Sequence, residues 1–380
     1  MEFGLFCGGF VPKGLWDLDP ATAEHERIMS EVRLVQLADR TNWKYWWTTE
    51  HHFLDEYSHI SANEVLLPYV AALTEQIHLG SGIFNITPPV NHPARVAERV
   101  AMLDHLSEGR FEFGTGRGSS TTEQAGFGIG DPDLTKDMYD EVIGEFVKMW
   151  SSTAYSHEGR FFSMPTRNVL PKPWVGPHPP MWVAAGNPST FEKAGRMGLG
   201  VLCFTAGNPM QMAPLIEVYK AAVAEAEPVG AYVNDNVAIV SQFLCLEDGD
   251  AARDWVTRGG TAYHNSLLFR YLDTFPRPKG IPPWPEILPE PTRAEIDKRI
   301  EANVSLVGTP DECIDALRKF EAVGCDQLLM GPSSTTWPHD VMAEAVELFG
   351  TRVIPEFDQD PEHSTSRYRR EAAGTTSPVG

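Results

Sequence analysis

Three things are scarce in this chain, and each scarcity closes off a class of protein. Cysteine is the first: Cys7, Cys203, Cys245, Cys313 and Cys325 are scattered over 380 residues with no C-x-x-C pair among them. Such an odd, sparse set builds neither a disulfide framework nor a zinc ribbon, and it suits reduced thiols in the cytoplasm. Positive charge is the second: 31 Lys and Arg stand against 52 Asp and Glu, a net charge of −21. Phosphate neutralisation needs a basic face, so the balance argues against nucleic acid and against an anionic membrane surface. Long apolar runs are the third. None approaches the ~18 residues of a membrane-spanning helix, and the start, M-E-F-G-L-F-C-G-G-F, has neither the basic nor the apolar segment of a secretory signal. The chain reads as a soluble intracellular protein.

What is present is enough apolar residue, 42%, for a sizeable core. Strand-like and helix-like segments alternate. Strands are expected at Glu2–Cys7, Lys44–Thr49, Ile77–Phe84, Arg110–Gly114, Met181–Ala185, Gly200–Phe204, Val237–Leu246 and Asp326–Met330. Helices are expected between them, at Ala21–Asp39, Asn63–Thr74, His92 to Gly109, Thr135–Trp150, Pro188–Met197 and Pro209–Ala226, with Asp340–Phe349 last. V-G-T-P-D-E at Val307–Glu312 reads as a helix start, with Thr309 as cap, Pro310 in the first turn and Glu312 closing a capping box. About eight strands with helices between them favour an α/β fold of the (β/α)8 barrel type, with insertions, over a doubly wound sheet. No linker divides residues 1–355. His157–Pro177 looks inserted, the proline-dense and irregular Gly259–Pro291 reads as a lid, and the polar tail 356–380 reads as partly disordered.

In such a barrel, chemistry belongs at the C-terminal ends of the strands. The aromatic run Trp43, Tyr45, Trp46, Trp47 ends there in Glu50-His51-His52-Phe53. Alternation puts Glu50 and His52 on one face and His51 on the other. A metal site with help from Asp55, Glu56 and His59, a single imidazole working as acid or base, and a pair of structural histidines are all open readings. The next strand ends in Gly114, Gly116, Arg117, Gly118 and Ser119, neither a P-loop nor a full G-x-G-x-x-G. Its glycines admit a ligand to the backbone, and Arg117 offers a fork for phosphate oxygens. Ala185, Gly186, Asn187, Pro188, Ser189 and Thr190 form a strand-to-helix turn whose exposed N–H groups favour an anion. Two anion-favouring loops at one mouth suggest one phosphate-bearing ligand. Between them, Gly80 and Gly82 in L-G-S-G-I-F leave room for a flat ring or mark a β-bulge.

Taken in order, F-G-L-F, E-H-H-F, L-G-S-G-I, H-P-A-R-V-A-E, L-S-E-G-R-F-E-F-G-T-G-R-G, V-A-A-G-N-P-S-T and V-G-T-P-D-E-C resemble the bacterial luciferase-like family of flavin-dependent monooxygenases over about residues 2–355. The resemblance implies a TIM barrel using reduced FMN (FMNH2) delivered by a separate flavin reductase. Oxygen would add to the flavin as a C4a-peroxyflavin, which oxidises a small organic substrate that is hydrophobic or ring-bearing. It also implies a homodimer. By position in the motifs, His51 matches the catalytic histidine. Gly116 and Arg117 match the phosphate grip, with Ala185, Gly186, Ser189 and Thr190 on its other side. Ser81, Gly82 and Ile83 match the backbone against the flavin ring, often with a non-proline cis peptide, and Gly259–Pro291 matches the mobile lid. The aromatic run would help to keep the pocket dry, with some of its members left to the core. Two departures point away from light emission: Gly116 stands where luciferase has a reactive thiol, and Ala185 where it has a carboxylate. An F420-dependent oxidoreductase and a non-catalytic flavin-binding subunit are the alternatives.

Overall fold

Eight parallel strands close on themselves in the computed structural model, which describes residues 1–204, 208–274, 277, 280–331 and 337–375. They are β1 (Glu2–Cys7), β2 (Tyr45–Thr48), β3 (His78–Ser81), β4 (Phe111–Gly116), β5 (Met181–Ala184), β6 (Gly200–Phe204), β7 (Val237–Cys245) and β8 (Gln327–Gly331). Each pairs in parallel with the next, and β8 pairs with β1, so the sheet has no barrel edge. A two-residue strand, Phe84–Asn85, extends the β3 connection along β4, and Leu306–Gly308 adds to the far end of β7.

Alternation along each strand divides the large side chains between two places. Tyr45, Trp47, Trp182, Leu202, Ala238 and Leu329 fill the barrel interior, capped by Phe6, Ile83 and Val240. Trp43 and Trp46 join the layer between barrel and helices. This corrects the expectation that some members of the aromatic run face the pocket, and bears out that others belong to the core: all four rings are buried, and none lines the cavity described below. Gly80 is explained in the same way. A Cβ there would lie 2.2 Å from the Trp47 ring, so the flat group this glycine admits is the protein's own indole.

Local signals place the helices. Thr309 and Glu312 form the expected reciprocal capping box, and Pro93 follows its cap His92. The expected helix Thr135–Trp150 is two helices, Leu134–Val142 and Glu145–Ser151, with Gly144 between them. Helices Gly249–Arg258 and Arg293–Glu301 were not anticipated. The inserted segment is a hairpin, Tyr155–Glu158 against Ser163–Arg167, pinned by Glu141, which accepts the N–H groups of Arg160, Phe161 and Phe162.

Two expectations need correction. The stretch 259–291 is not irregular throughout, because Thr261–Tyr271 is a helix. Its Leu267 and Tyr271 pack on Phe10 and Leu54. Pro276 and Pro278 of that stretch lie outside the described residues. The tail is not a loose polar end either. Ser364–Thr375 is a helix closing the N-terminal end of the barrel, and residues 376–380 lie outside the described residues. Part of its polarity is spent inward. Ser364 and Thr365 donate hydroxyls to Glu2 and Glu112 at 2.5 Å each, and Arg369 grips the fully buried Asp104 at 2.8 and 2.7 Å. Polar residues that satisfy buried carboxylates give no apolar periodicity, which is why this helix was read as solvated chain.

Candidate active site

The C-terminal ends of the strands and the helix 261–271 enclose a cavity of about 630 Å³. His51, Gly82, Ile83, Gly116, Arg117, Gly186, Ser189 and Thr190 line it, eight of the ten residues singled out from sequence. Ser81 and Ala185 do not. Ser81 is fully buried, and its Oγ straps β3 to β4 by donating to Gly114 O at 2.8 Å and accepting Gly114 N at 3.0 Å. Ala185 sits behind the wall, its N–H on Leu202 O at 2.9 Å. Helix 261–271 and the turn after it contribute Leu268, Leu272 and Thr274 to the cavity.

The segment after β2 answers why an aromatic strand ends in a carboxylate and two histidines. Glu50 and His52 do share a face: His52 Nε2 lies 3.1 Å from Glu50 Oε1. Glu50 also accepts Asn91 Nδ2 and Asn85 N, each at 3.2 Å, and so ties β2 to the β3 connection. Burial raises the Glu50 pKa, against the pull of His52. Burial lowers that of His52, but the hydrogen bond and charge of Glu50 outweigh it and the net shift is upward. His51 lines the cavity beside them and takes a different partner, with Nδ1 3.0 Å from Glu123 Oε1 and its ring edge-on to Tyr57 at 5.4 Å. Asp55 takes the hydroxyl of Tyr271, Glu56 takes that of Tyr263, and His59 pairs with Glu24. The ligand set proposed for a metal therefore diverges.

Gly82–Ile83 is a cis peptide without proline, in the segment where the resemblance implied one. Gly82 presents bare backbone to the cavity, while Gly116 is small because a Cβ there would strike Ile83 Cγ1 at 2.7 Å. At the far end, the Arg117 guanidinium donates to Thr135 Oγ1 at 2.8 Å and makes no ion pair among the described residues. Burial depresses its pKa, and Asp133 and Asp140 oppose that shift. The neighbouring lysines are already committed, Lys136 to Asp133 at 3.0 Å and Lys193 to Asp140. Arg117 is therefore the cation with charge to spare for a phosphate. Opposite it, Asn187 caps the helix Pro188–Arg196, whose first turn faces the cavity. Ser189 and Thr190 turn their hydroxyls to Asn187 Oδ1, at 2.7 and 3.1 Å. What this loop offers an anion is thus its backbone N–H groups and helix end rather than those hydroxyl hydrogens.

Sequence reasoning missed Tyr57, Glu123, Gln124 and the wall of Phe6, Leu202 and Val240. Glu123 carried a misleading signal. Ser120-Thr121-Thr122-Glu123 spells a capping box, and Ser120 does accept Thr122 N at 3.2 Å, but Glu123 turns to His51 instead of closing the box. Gln124 is 1% exposed, and neither polar atom of its amide has a partner, beside Gly118 of the phosphate loop. A cleft with an uncommitted guanidinium at one end, bare backbone along one wall and orphaned polar atoms nearby fits a flat cofactor with a phosphate tail.

The chain resembles known proteins over most of its length. The model of the luciferase-like monooxygenase family matches residues 1–327. Limonene 1,2-monooxygenase of Rhodococcus erythropolis is 25% identical over 364 residues, covering 95% of this chain and 87% of its own. The oxygenase component of the flavin-dependent trigonelline monooxygenase of Acinetobacter baylyi is 33% identical over 172 residues, 45% of this chain and 46% of its own. Among solved structures, the oxygenating constituent of 3,6-diketocamphane monooxygenase of Pseudomonas putida, a type II Baeyer–Villiger enzyme in complex with FMN, superposes with a TM-score of 0.73 at 21% identity, covering 94% of this chain and 98% of that one. An F420-dependent secondary alcohol dehydrogenase superposes at 0.65 with 16% identity, covering 94% and 99%.

Proposed function

Since the chain belongs to the luciferase-like monooxygenase family, we propose that it is the oxygenase component of a two-component flavin monooxygenase. It would take FMNH2 from a separate reductase and use O2 to hydroxylate, or insert oxygen into, a neutral organic molecule. The observation that carries this reading is the division of the cavity. One end holds Arg117, which makes no ion pair among the described residues, and the other is walled by the apolar Phe6, Leu202, Val240, Leu268 and Leu272.

The residues divide the work accordingly. Arg117 and the N-terminal turn at Pro188 would hold the phosphate of FMN, and the bare backbone of Gly82–Ile83 would lie along its ring. Bound reduced flavin supplies the electrons that activate O2. The apolar wall excludes water, as such chemistry requires. His51 holds or moves a proton at the edge of the apolar end. No cation lines that end among the described residues, which favours an uncharged substrate. FMN is preferred to F420, the alternative on the same fold, because the E-H-H-F pattern at Glu50–Phe53 favours it.

Titrating the protein with FMNH2 under nitrogen, and separately with reduced F420, tests the assignment. Saturable binding of FMNH2 that weakens in Arg117→Ala supports it. Binding of F420 in preference would replace the monooxygenase by a hydride-transfer enzyme. A homodimer belongs to the same reading. Val65, Tyr69 and Leu73 are exposed beside Met102 and Leu106 of the neighbouring helix Pro93–Leu106, an apolar stripe suited to a second copy. Sedimentation equilibrium of the wild type and of Tyr69→Glu would check it, the variant being expected to run as a monomer.

A further inference from the structure

The proposed reaction places His51 at the reacting end of the cavity but leaves open which ring nitrogen carries the hydrogen. Glu123 decides that question. It is 3% exposed, and one oxygen, Oε1, meets both His51 Nδ1 at 3.0 Å and the backbone N–H of His52 at 2.9 Å. The bond to His52 N locks the carboxylate to the same piece of backbone that carries the imidazole. Its other oxygen, Oε2, is buried without a partner. A carboxylate this deep, with no Lys or Arg bonded to it among the described residues, is costly to keep and contributes little to stability. Nor does it close the capping box that its position spells. Its geometry serves the ring.

We propose that Glu123 is the positioning residue of the site: it fixes neutral His51 as the Nδ1–H tautomer and so presents a bare Nε2 to the cavity as a proton acceptor. This rests on the functional reading above and deepens it. A carboxylate only accepts hydrogen bonds, so Nδ1 must donate. Nε2 meets no protein partner among the described residues, which leaves its lone pair for the substrate. The substrate class narrows to molecules with an ionisable O–H, such as a phenol or an enol. The O–H proton passes to Nε2, the electron pair stays on the substrate oxygen, and Glu123 balances the charge of the imidazolium. The proton leaves to solvent after turnover. Tyr57, edge-on to His51, has its pKa pushed up by burial and by the charge of Glu123, so its hydroxyl stays protonated and available to donate to the same oxygen.

The test begins on the protein without flavin. Ring-nitrogen chemical shifts of 15N-histidine-labelled protein, with His51→Ala to assign the resonance, report the tautomer directly. The wild type should show Nδ1–H. Glu123→Gln should lose that preference, and Glu123→Asp should keep part of it. A wild-type His51 in the Nε2–H form would overturn the proposal, as would an unchanged tautomer in a folded Glu123→Gln. In turnover, Glu123→Gln should lower kcat by about 10- to 100-fold with KM and FMN affinity within about 2-fold of wild type, in the range that loss of a histidine's orienting carboxylate causes. Because the NMR measurement needs neither flavin nor substrate, it stands even if the wild type proves not to be a monooxygenase.

Discussion

The two ends of this barrel each hold a histidine against a glutamate, and the pairs do opposite things. At the C-terminal end, His51 meets Glu123 at 3.0 Å. At the N-terminal end, His78 meets Glu112 at 2.8 Å. The lower pair is saturated. Glu112 also takes Thr365 Oγ1 at 2.5 Å and Trp182 Nε1 at 2.7 Å, and His78 Nε2 lies 3.3 Å from Ser366 Oγ. The upper pair is unfinished, with an open Nε2 and an orphaned carboxylate oxygen. A closed polar network specifies structure, whereas an incomplete one beside a cavity is a place for a ligand. The barrel's two ends thus differ visibly in their hydrogen bonding.

Substitutions at the two ends should therefore separate turnover from stability. The largest effect is expected at His51. His51→Ala should cut product formation by about 10²- to 10⁴-fold, the usual contribution of a positioned acid or base, while the melting temperature and FMN affinity stay near wild type. Steady-state kinetics beside a flavin titration would check this. At the opposite end, Arg369→Ala strands the buried Asp104. It should cost about 3–5 kcal/mol of stability in chemical denaturation, with kcat per folded molecule unchanged. Arg117→Ala should weaken FMN binding by roughly 10²-fold, the loss of one or two charge-assisted hydrogen bonds, and leave the denaturation midpoint alone.

The smallest effect is the most specific. Burial pushes Glu112 up to about 8 and His78 down to about 3, so the folded pair holds one proton across that range. An unfolded chain would hold two protons on these groups below about pH 4.5, one between about 4.5 and 6.5, and none above. Where the unfolded chain holds more protons, stability rises with pH, and where it holds fewer, stability falls. The pair's contribution should therefore be level between about pH 4.5 and 6.5, decline on acidification towards 3, and decline by about 2 kcal/mol between about 6.5 and 8. Glu112→Gln should abolish the alkaline decline and, with only His78 left to titrate, lose the plateau, so that stability falls on acidification from about pH 6.5 towards 3. Denaturation series on both proteins across pH 4–9 would show whether the wild type is level from about 4.5 to 6.5 and declines above, while the variant climbs to about 6.5 and is level above.

The sequence made the upper face more legible than the lower. Glycine, arginine and histidine at strand ends announce a ligand site by residue type, and His51, Gly82, Gly116, Arg117 and Gly186 all line the cavity. Glu123 was hidden because its position spells a helix cap, and Tyr57 because one tyrosine in a loop gives no periodic signal. The aromatic run misled for a different reason: a strand with both faces buried looks the same whether its rings face a pocket or a core. The lower face was nearly invisible. Glu2, His78, Glu112 and Thr365 are polar residues far apart in the chain, and the barrel strands and the closing helix 364–375 bring them together.

The central claim is that this cavity holds reduced FMN and protects its reaction with oxygen. It is tested most directly by loading the protein anaerobically with FMNH2, mixing it rapidly with oxygenated buffer, and following flavin absorbance. The account predicts that bound flavin returns to its oxidised spectrum far more slowly than free FMNH2, and that Arg117→Ala loses this protection because flavin escapes. Reoxidation at the rate of free flavin by a protein that demonstrably binds FMNH2 would contradict it.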